Sequence, residues 1–145
     1  MGRTMEQEMV RKASVKEAQV VREMIQHEND LINQRITWFG TLQGLLFAAL
    51  AFAWGKANTS ILFFLLAILG ILLSASTYYA VQSSLKAIKT LREWWDNNKS
   101  ADYVGPDIIG RRPDSRSIPF LRPYVVFPTS FLIAWATILI WQIWR

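Results

Sequence analysis

Residues 36–55, 57–85 and 123–144 contain no charged side chain, and those three stretches decide what this chain can fold into. A helix rises 1.5 Å per residue, so about 20 apolar residues cross a hydrocarbon core ~30 Å thick. The spans read Thr37–Trp54, Ile61 to about Ser84, and Tyr124–Trp144. Nothing in them alternates polar with apolar, which excludes membrane β-strands. The expected fold is an all-α integral membrane protein: three transmembrane helices with a long N-terminal cytoplasmic helix. Four segments follow: a cytoplasmic amphipathic arm (1–36), helices one and two (37–84), a helix extension with a Pro/Gly/Arg loop (85–123), and helix three (124–145). The first 35 residues are too polar for a signal peptide.

Orientation follows from where the sixteen Lys and Arg fall. Six precede the first span and eight lie between the second and third. Only Lys56 and Arg145 fall on the other side. Basic residues stay on the cytoplasmic face, so the N-terminus and second loop are expected inside and the C-terminus outside an inner (plasma) membrane. Trp38 and Tyr78–Tyr79 fit an inner aromatic belt, and Trp54, Trp141 and Trp144 an outer one. The net charge of +5 needs no partner beyond this rule, though an anionic ligand of the basic loop is the alternative.

Between Thr4 and Ile36 there is neither Pro nor Gly, and strong helix formers dominate. Met5, Met9, Val20, Met24 and Leu31 recur on one helical face, with Val21, Ile25 and Ile32 beside them. Such a face wants a partner: the same helix of another subunit, or the bilayer surface. The second span is expected to continue as a helix through Leu85, Ile88, Leu91 and Trp95 to Asp96–Asn98. Gly105, Pro106, Gly110, Pro113, Pro119 and Pro123 then mark a loop, and Pro128 is expected in the first turn of the third span.

One lane of the first helix stands out. At 100° per residue, Arg22, Gln26, Asn29, Asn33, Gly40, Gly44, Ala48 and Ala51 fall within about 100° of one another, with Thr37 among them. The lane is polar and carboxamide-rich before the span and small within it. Val20, Met24, Leu31, Phe39, Leu42 and Leu46 lie on the far side. Small residues let helices approach closely in lipid, so Asn29, Asn33, Thr37, Gly40, Gln43, Gly44 and Ala48 are candidates for a helix interface or a pore wall. Gln43 needs a hydrogen-bond partner there: either another helix, for example Ser74 or Thr77, or a wet pathway. Glu28, Asn29, Asp30, Asn33 and Arg35 cluster where the arm meets the membrane and are expected to form an interfacial polar collar, with a gate (Glu28, Asp30, Arg35) or a ligand contact as the alternative.

No acid or base lies within a span, which argues against a proton pump, voltage sensor or ion-coupled carrier. The chain has one His, His27, and no Cys. It offers no metal set, catalytic triad or phosphate loop, so neither an enzyme nor a cofactor is expected.

The segment 27–49, HENDLINQRITWFGTLQGLLFAA, resembles small bacterial inner-membrane proteins with a Glu-Asn-x-Leu-Ile-Asn-x-Arg-x-Thr-Trp stretch running into Gln-Gly-x-Leu-Phe-Ala-Ala. The architecture is also similar to membrane effectors of anti-phage systems, including the Hailong type. In these a small multi-span subunit assembles into an oligomeric channel held shut by a nucleotide-derived ligand. The resemblance implies a homo-oligomeric pore gated through its cytoplasmic parts. Arg22, Gln26, Lys86, Lys89, Arg92, Trp94 and Trp95 have the cation-plus-aromatic chemistry that an anionic nucleotide or oligonucleotide would use, and equally that of a membrane-surface helix. The alternative is a non-conducting anchor or accessory subunit that docks a soluble cytoplasmic protein.

Overall fold

A computed structural model describes residues 2–56, 59–100, 103, 105–108 and 123–144, with side chains from Val15 onward. Three helices run in chain order: α1 (Gly2–Ala53), α2 (Ser60–Asn98) and α3 (Pro123–Trp144). All three are long and apolar enough to cross a membrane, and no strand occurs among the described residues. The protein is an all-α integral membrane protein.

Local chemistry sets the helix ends. Gly55 takes φ 77°, a left-handed conformation open to Gly without a Cβ penalty, and the Lys56 amide bonds back to the Ala53 carbonyl. Thr59 precedes α2, and its carbonyl accepts the first helical bond, from the Phe63 amide. At the other end of α2 the Asn98 side-chain amide donates to the Trp94 carbonyl.

The chain divides into two compact units, each containing part of α1 and part of α2. The apolar unit comprises Ile32–Ser83 and Ser117–Arg145. Its core joins Leu46, Leu50 and Ala53 of α1 to Phe63, Leu66 and Ala67 of α2 and Trp135 of α3. Aromatic contacts reinforce it: Phe39 meets Phe127 and Phe131 edge-on, and Phe47 stacks on Trp135 at 4.6 Å. Trp54 and Trp141 stack nearly parallel at 5.5 Å. Ile61, Leu65, Leu72, Ile133 and Ile140 remain exposed, as lipid-facing side chains are.

The polar unit comprises Met1–Leu31 and Ser84–Arg116. Ala18, Val21 and Ile25 of α1 and Ile88 and Trp95 of α2 are buried in it. The sequence put the apolar face on Val20 and Met24. Those two are about half exposed, at 54% and 49%, and the β-branched residues beside them face inward instead. The side chains of Met5 and Met9, and loop residues 109–122, lie outside the described residues.

Pro128 departs from its expected place. It stands inside α3, not in the first turn, which Pro123 occupies. A helix-interior Pro has no N–H to give to the carbonyl four residues back. Nearby hydroxyls add hydrogen bonds at this point: Thr129 donates to the Val125 and Val126 carbonyls, and Ser130 to Val126. These bonds reach the Val125 and Val126 carbonyls, one and two residues beyond the Tyr124 carbonyl that Pro128 cannot serve.

At Gly70 the Trp135 ring of α3 lies directly against the α2 backbone. A Cβ built there would fall 2.4 Å from the Trp135 indole. An Ala in a helix ordinarily gains about 1 kcal/mol over Gly. Here overpacking, typically ~1–3 kcal/mol, outweighs it. Gly70→Ala is therefore expected to lower the melting temperature in detergent, and a rise would contradict this packing.

Candidate functional site

Within the apolar unit, the polar group most costly to leave unpaired is the Gln43 carboxamide, which is fully buried. Its oxygen accepts a 2.6 Å bond from the Trp135 indole N–H of α3. Its amide nitrogen donates to Ser74 Oγ at 3.1 Å and to the Gly70 carbonyl at 3.3 Å, both on α2. Ser74 in turn donates to the Gly70 carbonyl. One side chain thus ties α1 to both other spans. Of the two partners the sequence left open for Gln43, the helix contact through Ser74 is the one made. Trp135 went unforeseen.

Fixing Gln43 inward fixes what faces outward. Phe39, Gln43, Leu46 and Leu50 are buried on one side of α1. Thr37, Thr41, Gly44 and Ala48 fall within about 60° on the opposite side and are all exposed. Asn33 and Ala51 flank them and are exposed too. A Cβ at Gly44 would meet no atom within 4 Å. Gly40 is different, because its Cβ position lies 3.6 Å from the Phe127 ring. Intramolecular packing therefore takes up Gly40 and Gln43 of the expected lane and leaves Asn33, Thr37, Gly44 and Ala48 open. Thr41 was not singled out in the sequence, although its place four residues after Thr37 puts it on the same face. Thr37 and Thr41 donate their hydroxyl hydrogens to the Asn33 and Thr37 carbonyls, at 2.9 and 3.1 Å. Arg35 is half-buried, and its guanidinium donates to the Ala80 carbonyl at 3.0 Å.

The expected ligand residues of the polar unit do not converge. Arg22 donates to the Tyr103 hydroxyl at 2.9 Å and to the Pro106 carbonyl, and Trp95, 3% exposed, meets Tyr103 edge-on at 5.1 Å. These two residues thereby hold the chain that follows α2. Trp95, Asp96, Lys99, Ser100, Tyr103, Gly105 and Asp107 line an open cleft of about 360 Å³. Lys86, Lys89, Arg92 and Trp94 are exposed on other faces of α2, and Lys89 pairs with Glu93 at 3.5 Å. Gln26, Asn29 and Asp30 are exposed and Glu28 is half-buried.

A family model described as the octameric membrane protein family, 8xMP, matches residues 16–144. The chain belongs to this family. The match takes in all three spans and most of α1, so the 8xMP chain described here is an oligomeric membrane protein. No curated protein and no solved structure matches it.

The Gln43 junction yields a direct test. Gln43→Leu strands the Trp135 N–H in an apolar interior and is expected to destabilise by about 1–2 kcal/mol. Trp135→Phe in the same chain removes the orphaned donor. The double variant should therefore lose less than the sum of the singles in detergent unfolding. Strict additivity would mean that the bond carries no coupling.

Proposed function

We propose that this 8xMP chain is one subunit of a homo-octameric pore in a bacterial inner membrane, gated through its polar unit and serving as an effector of anti-phage defence. The observation that supports a pore is the open face of α1. A helix face in lipid is ordinarily bulky and apolar, as Trp38, Leu45 and Phe52 are on the neighbouring side. Thr37, Thr41, Gly44 and Ala48 are not. In a family described as octameric, such a face suits the central axis, where water meets it. Three spans cannot enclose a pore, so conduction requires several copies. The defence role is supported only by the likeness to oligomeric anti-phage membrane effectors. No catalysis is part of this reading.

The second reading is a non-conducting anchor, favoured by the half-exposed Val20 and Met24, which a soluble partner could cover. Membrane potential in expressing cells separates the two readings. The pore depolarises the membrane and the anchor does not. Gly44→Leu should abolish the leak while leaving the subunit folded, because the space beside Gly44 is open. An unchanged leak would remove α1 from the pore wall.

Orientation can be checked separately. The chain has no Cys, so a single introduced thiol reports its own side. Lys56→Cys should react with an impermeant maleimide in intact cells, and Lys89→Cys only after lysis. The reverse pattern would invert the topology.

A further inference from the structure

The chain that follows α2 lies on one side of the polar unit's helix pair. The buried Val21 and Ile25 mark the packed side of α1, and Ile88 and Trp95 that of α2. Counted at 100° per residue, Arg22 lies about 80° to one side of the α1 line, and Val20 and Met24 about 80–120° to the other. On α2, Asp96 lies about 90° to one side and Trp94 about 110° to the other. Helices joined by a short turn run antiparallel and wind in opposite senses when viewed end-on. Arg22 and Asp96 therefore share one side, and Val20, Met24 and Trp94 share the other. The contacts agree: Arg22 donates to the Tyr103 hydroxyl, and Asp96 lines the cleft beside Tyr103. Arg22 and Trp95 both meet Tyr103, which sets Val20, Met24 and Trp94 at one level.

On that other side Val20, Met24 and Trp94 are 54%, 49% and 48% exposed. Glu17, His27, Thr90 and Asn98, all exposed, and the half-buried Glu28 bound them. An apolar centre within a polar rim is the anatomy of a protein interface. Glu28, Asp30 and Arg35 separate Met24 from the charge-free stretch that begins at residue 36. Lys86, Lys89, Arg92 and Glu93 separate Trp94 from the stretch that ends at residue 85. Hydrocarbon is therefore not what covers the patch. The family is described as octameric, so further copies of this chain stand beside each subunit. We infer that Val20, Met24 and Trp94 form a contact surface for a second copy of the chain, joining neighbouring subunits outside the membrane. The inference rests on the octameric assembly and not on conduction.

The test reads assembly mass and thiol protection on the full-length protein in mild detergent. Met24→Glu combined with Trp94→Glu should convert the octamer into smaller species by light scattering, with helicity unchanged. Met24→Leu combined with Trp94→Phe should keep the octamer's mass, as should Lys86→Glu, exposed on another face of α2. The chain has no Cys, so single thiols give a second measurement. Met24→Cys and Trp94→Cys should be protected from maleimide in the oligomer and become reactive once a harsher detergent separates the subunits. Lys86→Cys should react in both states. Should the Glu pair lose helicity, the thiols decide. A folded Glu pair that leaves the octamer intact, or thiols at positions 24 and 94 that label as fast as the one at 86, would overturn the surface. Protection that persists in separated subunits would mean that the chain covers itself, and would overturn it too. A wild-type protein that is itself monomeric would remove the octameric assembly, and this inference with it.

Discussion

A single buried carboxamide determines how the three spans face one another. Within a bilayer, apolar burial does not tell one face of a helix from another, because lipid is as apolar as Leu. Rotation about the helix axis must therefore be fixed by groups that lipid cannot satisfy. Gln43 is such a group, and its bonds to Trp135, Ser74 and the Gly70 carbonyl draw on both other helices. Gly70 completes the arrangement by letting the Trp135 ring lie against the α2 backbone. Once Gln43 points inward, Thr37, Thr41, Gly44 and Ala48 point outward as a geometrical consequence of 100° per residue.

The polar unit relies on different forces. Its exposed side chains include Glu23, Lys86, Lys89 and Arg92, which suit water, and burial of Val21, Ile25, Ile88 and Trp95 away from water is itself favourable. Arg22 and Trp95 both act through Tyr103, one by a hydrogen bond to its hydroxyl and one by an edge contact to its ring. Two residues that the sequence offered as ligand contacts therefore have a structural role in placing Tyr103 and Pro106. Lys86, Lys89, Arg92 and Trp94 keep no such commitment to the fold's interior.

The large features were legible because charge is binary and a bilayer penalises it heavily. Charge-free stretches gave the three spans, and the lack of breakers before Ile36 left one long helix or two with a slight bend, of which the first is α1. The small-residue lane was visible as periodicity. Its division was not, because Gly40 and Gly44 are alike in sequence while only Gly40 has Phe127 against it. Trp135 was hidden for a related reason. A Trp in an apolar span has no spacing that marks it as a hydrogen-bond donor, and its partner lies 92 residues away. Val20 and Val21 differ by one helical step, and periodicity with both neighbours apolar does not choose between them.

Three helical glycines of the apolar unit differ in what meets them, and the contrast bears on assembly. At Gly70 the missing side chain is filled by an indole of the same chain, and at Gly40 a phenyl ring lies within contact distance. At Gly44 nothing fills it. Beside it, Thr37 and Thr41 present oxygen outward, and their hydroxyl hydrogens are already engaged. Lipid chains gain little against such a surface: it lacks the bulk that makes dispersion contacts, and its lone pairs find no donor in hydrocarbon. In a family described as octameric, this small and uncommitted face of α1 is a surface that a neighbouring helix can approach closely.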